Sequence, residues 1–338
     1  MTSLPTGDLN RQLADYRKPR LSRSLFELAL TAGVLALIWV AAWFLWAAGH
    51  WWAALLTTIP AAFFLVRLFM IQHDCGHGSF FAHRHANDWV GRIIGVLTLT
   101  PYDYWRRSHA MHHATSANLD RRHGLGEIAT LTVKEYLALP RLKKLGYRLY
   151  RHPLVLFGLG PFYNFFLLQR LPVGLMKDWR QWISTLGTTL SAVVFLGVLA
   201  YFGGPAPVLS VTLITMLLAA TIGVWLFFVQ HQFEGVVWLK QKAWNREDGA
   251  LLGSSHLDLP PPLRWLTANI GIHHVHHLNA LIPSYRLPEV LRDHPHLRDV
   301  SRITLRQSFG FANFGLWDED AQQLISFRRL RNSLRAAT

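Results

Sequence analysis

The stretch LALTAGVLALIWVAAWFLWAA, Leu28 to Ala48, carries no charged residue and decides the architecture. Wound as a helix rising about 1.5 Å per residue, it is about 30 Å long, the thickness of a bilayer's hydrocarbon core. After Gly49 and His50, the chain is apolar again from Trp51 to Val66 and runs on past Arg67 through Ile71, which predicts a second span over 51–71. Pro60 is placed to kink that span, and Arg67 to snorkel toward a headgroup layer. From Gln181 to Leu239 there is no Lys or Arg, and Gly203-Gly204-Pro205-Ala206-Pro207 divides this stretch into spans at about 182–202 and 208–230. The apolar runs Ile93–Thr100 and Leu154–Leu168 are short or broken by Pro and Gly, and are expected along the interface or against the bundle. The fold class expected is therefore an all-α integral membrane protein with four transmembrane helices in two hairpins.

Composition agrees with this reading. Of 338 residues, 51% are hydrophobic and 16% charged, against roughly 25% charged in soluble domains. That content excludes a disordered chain, and the single cysteine, Cys75, excludes a disulfide scaffold and an iron–sulfur cluster. The 34 Lys and Arg against 20 Asp and Glu give a net charge of +14. Basic residues fill the N-terminus (Arg11, Arg17, Lys18, Arg20, Arg23), the 72–180 loop and the tail from Lys240, while the two short links have none. By the positive-inside rule these regions are expected in the cytoplasm. The domain scheme is a polar segment 1–24 without a cleavable signal, a membrane unit 25–330 with a helical cap from 72–180 and 231–330, and a tail 331–338. Nucleic-acid binding suits the charge but not the membrane placement.

Histidine is unusually frequent at 18, and its spacing is informative. His73 and His77 lie four apart and share one face of a helix that continues the second span. His109 shares a face with both His112 and His113, which diverge from each other by about 100°, so the group can serve two ions. His273, His276 and His277 repeat that spacing, and His231 closes the fourth span. An even number of spans between groups returns all of them to one side. Imidazole suits iron, copper, nickel or zinc. Zinc does no redox chemistry, and nine histidines are too many for a closed four-ligand zinc site. Asp74, Glu234 and Asn269 lie within four residues of these histidines and are candidates to orient imidazoles through their far ring nitrogens. His50, His152, His256, His294 and His296 have no partner spacing and read as unremarkable.

At these residues the chain resembles the membrane fatty acid desaturases, in particular the bacterial and plastid acyl-lipid group that includes Δ12 (ω-6) enzymes. The segments that carry the likeness are HDCGHGSFF (73–81), WRRSHAMHHATSANLDRR (105–122), FFVQHQFEGVVW (227–238), TANIGIHHVHHLNALIPSYRLPEVLRDHP (267–295) and LWDED (316–320). The resemblance spans residues 30 to 330 and implies two non-haem iron ions held by His73, His77, His109, His112, His113, His231, His273, His276 and His277. His274 is then left to support the others, and no catalytic residue beyond the ligands is called for. His83, His85 and His123 depart from the family pattern and read as surface residues. The implied reaction removes two hydrogens from neighbouring methylenes of a membrane acyl lipid, with O2 as co-substrate, in a bacterial inner membrane.

No flavin fingerprint, haem-attachment motif or cysteine cluster is present, so electrons must come from a separate donor. An acidic, ferredoxin-like protein would be steered by Arg106, Arg107, Arg121, Arg122, Arg141, Lys143 and Lys144, although anionic lipid headgroups would attract the same charges. Alkane or carotenoid hydroxylases and ketolases use similar histidine boxes, and spacing alone does not separate them from desaturases. A metal transporter is a rival of another class, but it would place ligands near the bilayer midplane, whereas these lie at or beyond helix ends.

Overall fold

The structure, a computed structural model, describes residues 6–336; residues 1–5 and 337–338 of the two terminal segments lie outside the described residues. Among the described residues, four helices are long and apolar enough to cross a membrane: Leu21–Ala47, Trp51–His77, Trp179–Gly203 and Pro205–His231. The second is the central one, since 56% of its apolar window is buried inside the protein, against 17% for the first and 11% for the third. It packs against the first and fourth spans and against helix Arg84–Leu97. The first and third spans keep Leu37, Phe44, Leu190 and Val193 exposed, as lipid-facing surfaces should.

Proline punctuates both long segments. The second span breaks at Thr57 and restarts as Thr58–His77, because Pro60 supplies no N–H to the carbonyl of Leu56 and its ring crowds that turn. Pro205 and Pro207 open the fourth span, which widens into a wider-wound turn over Val208–Thr212 before the regular helix Leu213–His231. The segment from Val155 to Arg170 forms similar wide and tight turns and lies against the fourth span, with the Phe157 and Phe228 rings 5.3 Å apart.

Two sequence expectations need correction. Arg67 does not snorkel outward. It is buried, ion-paired with Glu27 of the first span, donates to the Trp265 carbonyl and lies 4.2 Å from the centre of the Trp265 ring. Glu27 precedes the uncharged run and stands level with Arg67 once the helices pack, so a buried partner replaces the headgroup. Nor is the chain wholly helical. Phe314–Asp318 and Gln323–Ser326 pair antiparallel, Leu131–Thr132 joins the former in parallel, and His256–Asp258 pairs with Arg302–Thr304. The Trp317 side chain is fully buried and stacks on Trp238 at 5.0 Å. Buried Arg151 ties this sheet to the turn after the fourth span by donating to the Phe314 carbonyl (2.7 Å) and to the Gln232 side chain (2.5 Å).

Removing one member of a buried ion pair strands the other charge, at a cost of about 3–5 kcal/mol. Glu27→Ala is expected to lower the thermal unfolding midpoint in detergent by many degrees, and Glu27→Ala with Arg67→Met to recover most of it. An unchanged midpoint in the single variant would show that the pair does not hold the first span.

Candidate metal centre

Each histidine is set by a local device. The second span ends at Gly78, whose φ of +73° lies in the left-handed region that glycine enters without a Cβ penalty, and the N–H groups of Gly78 and Ser79 close on the carbonyls of Cys75 and Asp74. This fixes the last turn, which carries His73 and His77. Helix Tyr102–Thr115 is pressed against that turn and against helix Arg84–Leu97 through one glycine of each. A Cβ on Gly76 would come within 2.7 Å of the Trp105 ring, and one on Gly91 within 2.2 Å of Tyr102. The Tyr102 hydroxyl donates to the Cys75 carbonyl at 2.8 Å, and Trp105 stacks on His109 at 4.5 Å. His231 is the last residue of the fourth span, and the short helix His273–Leu278 supplies the rest.

These elements bring the nine histidines into two clusters. His73, His77, His109, His113 and His276 form one, and His112, His231, His273 and His277 the other; within each, the candidate ligand atoms lie within 4.8 Å of one another. His112 thus parts company with His113, as the helical divergence of adjacent residues permits, and also with His109. The second cluster is buried throughout, whereas His77, His109 and His113 are only partly so.

The geometry fits cations better than it fits imidazoles bonded to one another. The Nε2 atom of His231 lies 3.1 Å from that of His112 and 3.0 Å from that of His273, which lies 3.1 Å from that of His277. In the other cluster, His113 Nε2 is 3.1 Å from both His109 Nε2 and His276 Nε2. A ring nitrogen carries at most one proton, so neither His231 nor His113 can satisfy two such neighbours. The buried Nε2 atoms of His73 and His77 have no hydrogen-bond partner among the described residues. An ion about 2.0–2.1 Å from two imidazole nitrogens at right angles would hold them about 3 Å apart. Burial, reinforced by neighbouring imidazoles, holds His109, His113, His273, His276 and His277 well below the usual imidazole range, so they are neutral at pH 7 and offer lone pairs.

The carboxylates that orient these rings are only partly those expected. Asp74 serves twice: one oxygen lies 3.3 Å from His73 Nδ1, and the other accepts the Ser284 N–H at 2.7 Å. Glu234 is instead exposed in the turn after the fourth span, and Asn269 donates to the Ser284 carbonyl. His274 points away from the clusters: its Nε2 is 2.9 Å from the Leu297 carbonyl, and burial pushes its pKa down to about 3. It packs on His256, which is buried rather than unremarkable and bonds to the Arg298 carbonyl. Missed in the sequence was Glu127, whose Oε1 accepts from His112 Nδ1 at 2.6 Å. It sits in an irregular loop fifteen residues on, where no periodicity points to it. Beside Glu127 and His231 lies a cavity of about 20 Å³, room for one water-sized molecule.

Residues 49–309 match the family model described as fatty acid desaturase. The chain is 41% identical, over 325 residues, to a Bacillus subtilis (strain 168) protein named fatty acid desaturase, covering 96% of this chain and 91% of that one. It is 25% identical over 279 residues to an sn-1 acyl-lipid omega-3 desaturase (ferredoxin) of Synechocystis sp., covering 81% and 75%. With an sn-1 oleoyl-lipid 12-desaturase of Picosynechococcus sp. it shares 28% over 278 residues, covering 79% and 74%.

Loss of a carboxylate hydrogen-bonded to a metal-ligating histidine typically costs 10–100-fold in metal affinity or activity. Glu127→Gln is expected to lower the affinity of the His112 cluster for metal by about that factor, read by chelator competition, while leaving the fold intact. Wild-type affinity in Glu127→Gln would remove Glu127 from the support of His112.

Proposed function

The chain belongs to the fatty acid desaturase family, and from that premise we propose that it is an O2-dependent desaturase that sets a cis double bond in a membrane acyl chain, at the Δ12 (ω-6) position. The observation that carries the chemistry is the pair of histidine clusters, nine imidazoles gathered into two groups. Iron is the metal proposed for both. When bound, the two ions supply the oxidising power: a CH2–CH2 unit, O2, two electrons and two protons give a CH=CH unit and two waters. The position is supported by relatives named sn-1 oleoyl-lipid 12-desaturase, although others are named omega-3 desaturases, so the product must be read directly.

The protein's own residues hold and screen. Asp74 and Glu127 accept from Nδ1 of His73 and His112, which fixes those rings and leaves Nε2 free to ligate. Trp105, packed on His73, His109 and Phe69, covers one side of the five-histidine cluster with hydrocarbon. Phe227 lies 5.0 Å from His112 and 5.1 Å from His231, bordering the other cluster. An acyl chain entering from the bilayer would meet these aromatic surfaces rather than water.

Electrons come in this proposal from a separate ferredoxin-like protein, supported by relatives whose names specify ferredoxin. The basic segments support an arrangement of two hairpins with both termini and the 72–180 and 231–330 cap in the cytoplasm, in a bacterial inner membrane. The unit 25–330 acts as one domain in this scheme.

Fatty acids from cells expressing the chain with a ferredoxin system, analysed by gas chromatography–mass spectrometry, are expected to contain a new diene with its second double bond at carbon 12. His112→Ala and His276→Ala, one from each cluster, should abolish it while the protein still inserts in the membrane. Hydroxylated or oxo products would overturn desaturation, and a diene of another position would overturn the Δ12 assignment alone.

A further inference from the structure

Helix Arg141–Tyr150 is turned inside out for a soluble surface. Leu142, Leu145 and Leu149 are 80%, 53% and 54% exposed, and their spacing lines them along one face. None of the ten residues is buried. The opposite side fastens the helix to the protein, through the Tyr147 hydroxyl donating to the Gly315 carbonyl and Arg148 Nε donating to the Tyr136 hydroxyl, both at 2.6 Å. The apolar face therefore looks away from the protein. It is followed directly by Leu154 and Leu159, 76% and 66% exposed, in the segment that lies against the fourth span. The leucine stripe thus joins a surface of membrane character.

A groove of about 420 Å³ separates this helix from helix Phe327–Ala336. Lys144, Arg148, Arg331 and Arg335 surround it, over Leu330 and Leu334. Hydrocarbon below and cations around are the complement of a phospholipid's anionic headgroup and the start of its acyl chains.

We propose that helix Arg141–Tyr150 lies in the plane of the membrane surface with its leucines in the acyl layer, and that the groove beside it binds the headgroup of an anionic phospholipid. An acidic protein would require charge on the outward face, and that face is leucine. The placement rests on the membrane reading of the chain and is independent of the reaction catalysed.

The only cysteine, Cys75, is buried, so single labels can be introduced against a quiet background. The full chain, in nanodiscs of phosphatidylglycerol and phosphatidylcholine, carries a spin label at Leu142→Cys or, as reference in the third span, at Leu190→Cys. Both labels are expected to be more accessible to oxygen than to an aqueous nickel chelate. A water-accessible label at 142 with a lipid-accessible label at 190 overturns the proposal; water access at both overturns the membrane reading itself. Native mass spectrometry of the detergent-extracted protein should show phosphatidylglycerol retained over phosphatidylcholine. Lys144→Gln and Arg331→Gln should each reduce that preference roughly fivefold. Equal retention of the two lipids, or protection of position 142 only by an added acidic redox protein, overturns the assignment. Product analysis of the same variants reads the desaturase proposal separately.

Discussion

Nine imidazoles with converging ring nitrogens cannot satisfy one another, and the rest of the structure answers to that constraint. Lone pairs facing each other in a buried space repel, and one proton cannot bridge His231 to two neighbours. A cation at the centre of each cluster would resolve the arrangement. The fold therefore has to deliver imidazoles from four distant segments to one end of the bundle and hold them there. The capped second span, the glycine-lined contact with helix Tyr102–Thr115 and the fully buried His273–Leu278 helix are the means.

Much of this was legible because helical geometry is rigid. Uncharged stretches of about twenty residues can hardly be anything but spans, and spacings of three and four force histidines onto shared faces. The same rule allowed one group to serve two centres, but not the partition itself. That His112 joins His231 while His113 joins His276 depends on how the helices are rotated, which no local pattern states. Glu127 was illegible because its role depends on a loop returning to His112. The small sheets were missed because strands of two to five residues, such as Leu131–Thr132, are paired by tertiary contacts and carry little signal of their own.

Arg67 shows the same limit from the other side. An isolated charge at the end of an apolar run reads as an anchor to the headgroups, and only the packed partner Glu27 turns it into an internal tie. Arg151 acts similarly, joining the sheet to the turn after the fourth span. Such ties are polar, specific and long-range, and they fix the relative placement of elements that nonspecific apolar contact would leave free to slide.

The division of ligands along the chain has a consequence for biosynthesis. When the ribosome has completed the second span and helix Tyr102–Thr115, four of the five histidines of one cluster are present, but only one of the four of the other. Even His73 lacks its final orientation, because Asp74 is held by the N–H of Ser284, some 210 residues later. The four-histidine centre can therefore be assembled only after translation has passed residue 277. Its completion is a late event, and a chain interrupted before that point would retain its apolar helices while never completing the four-histidine cluster.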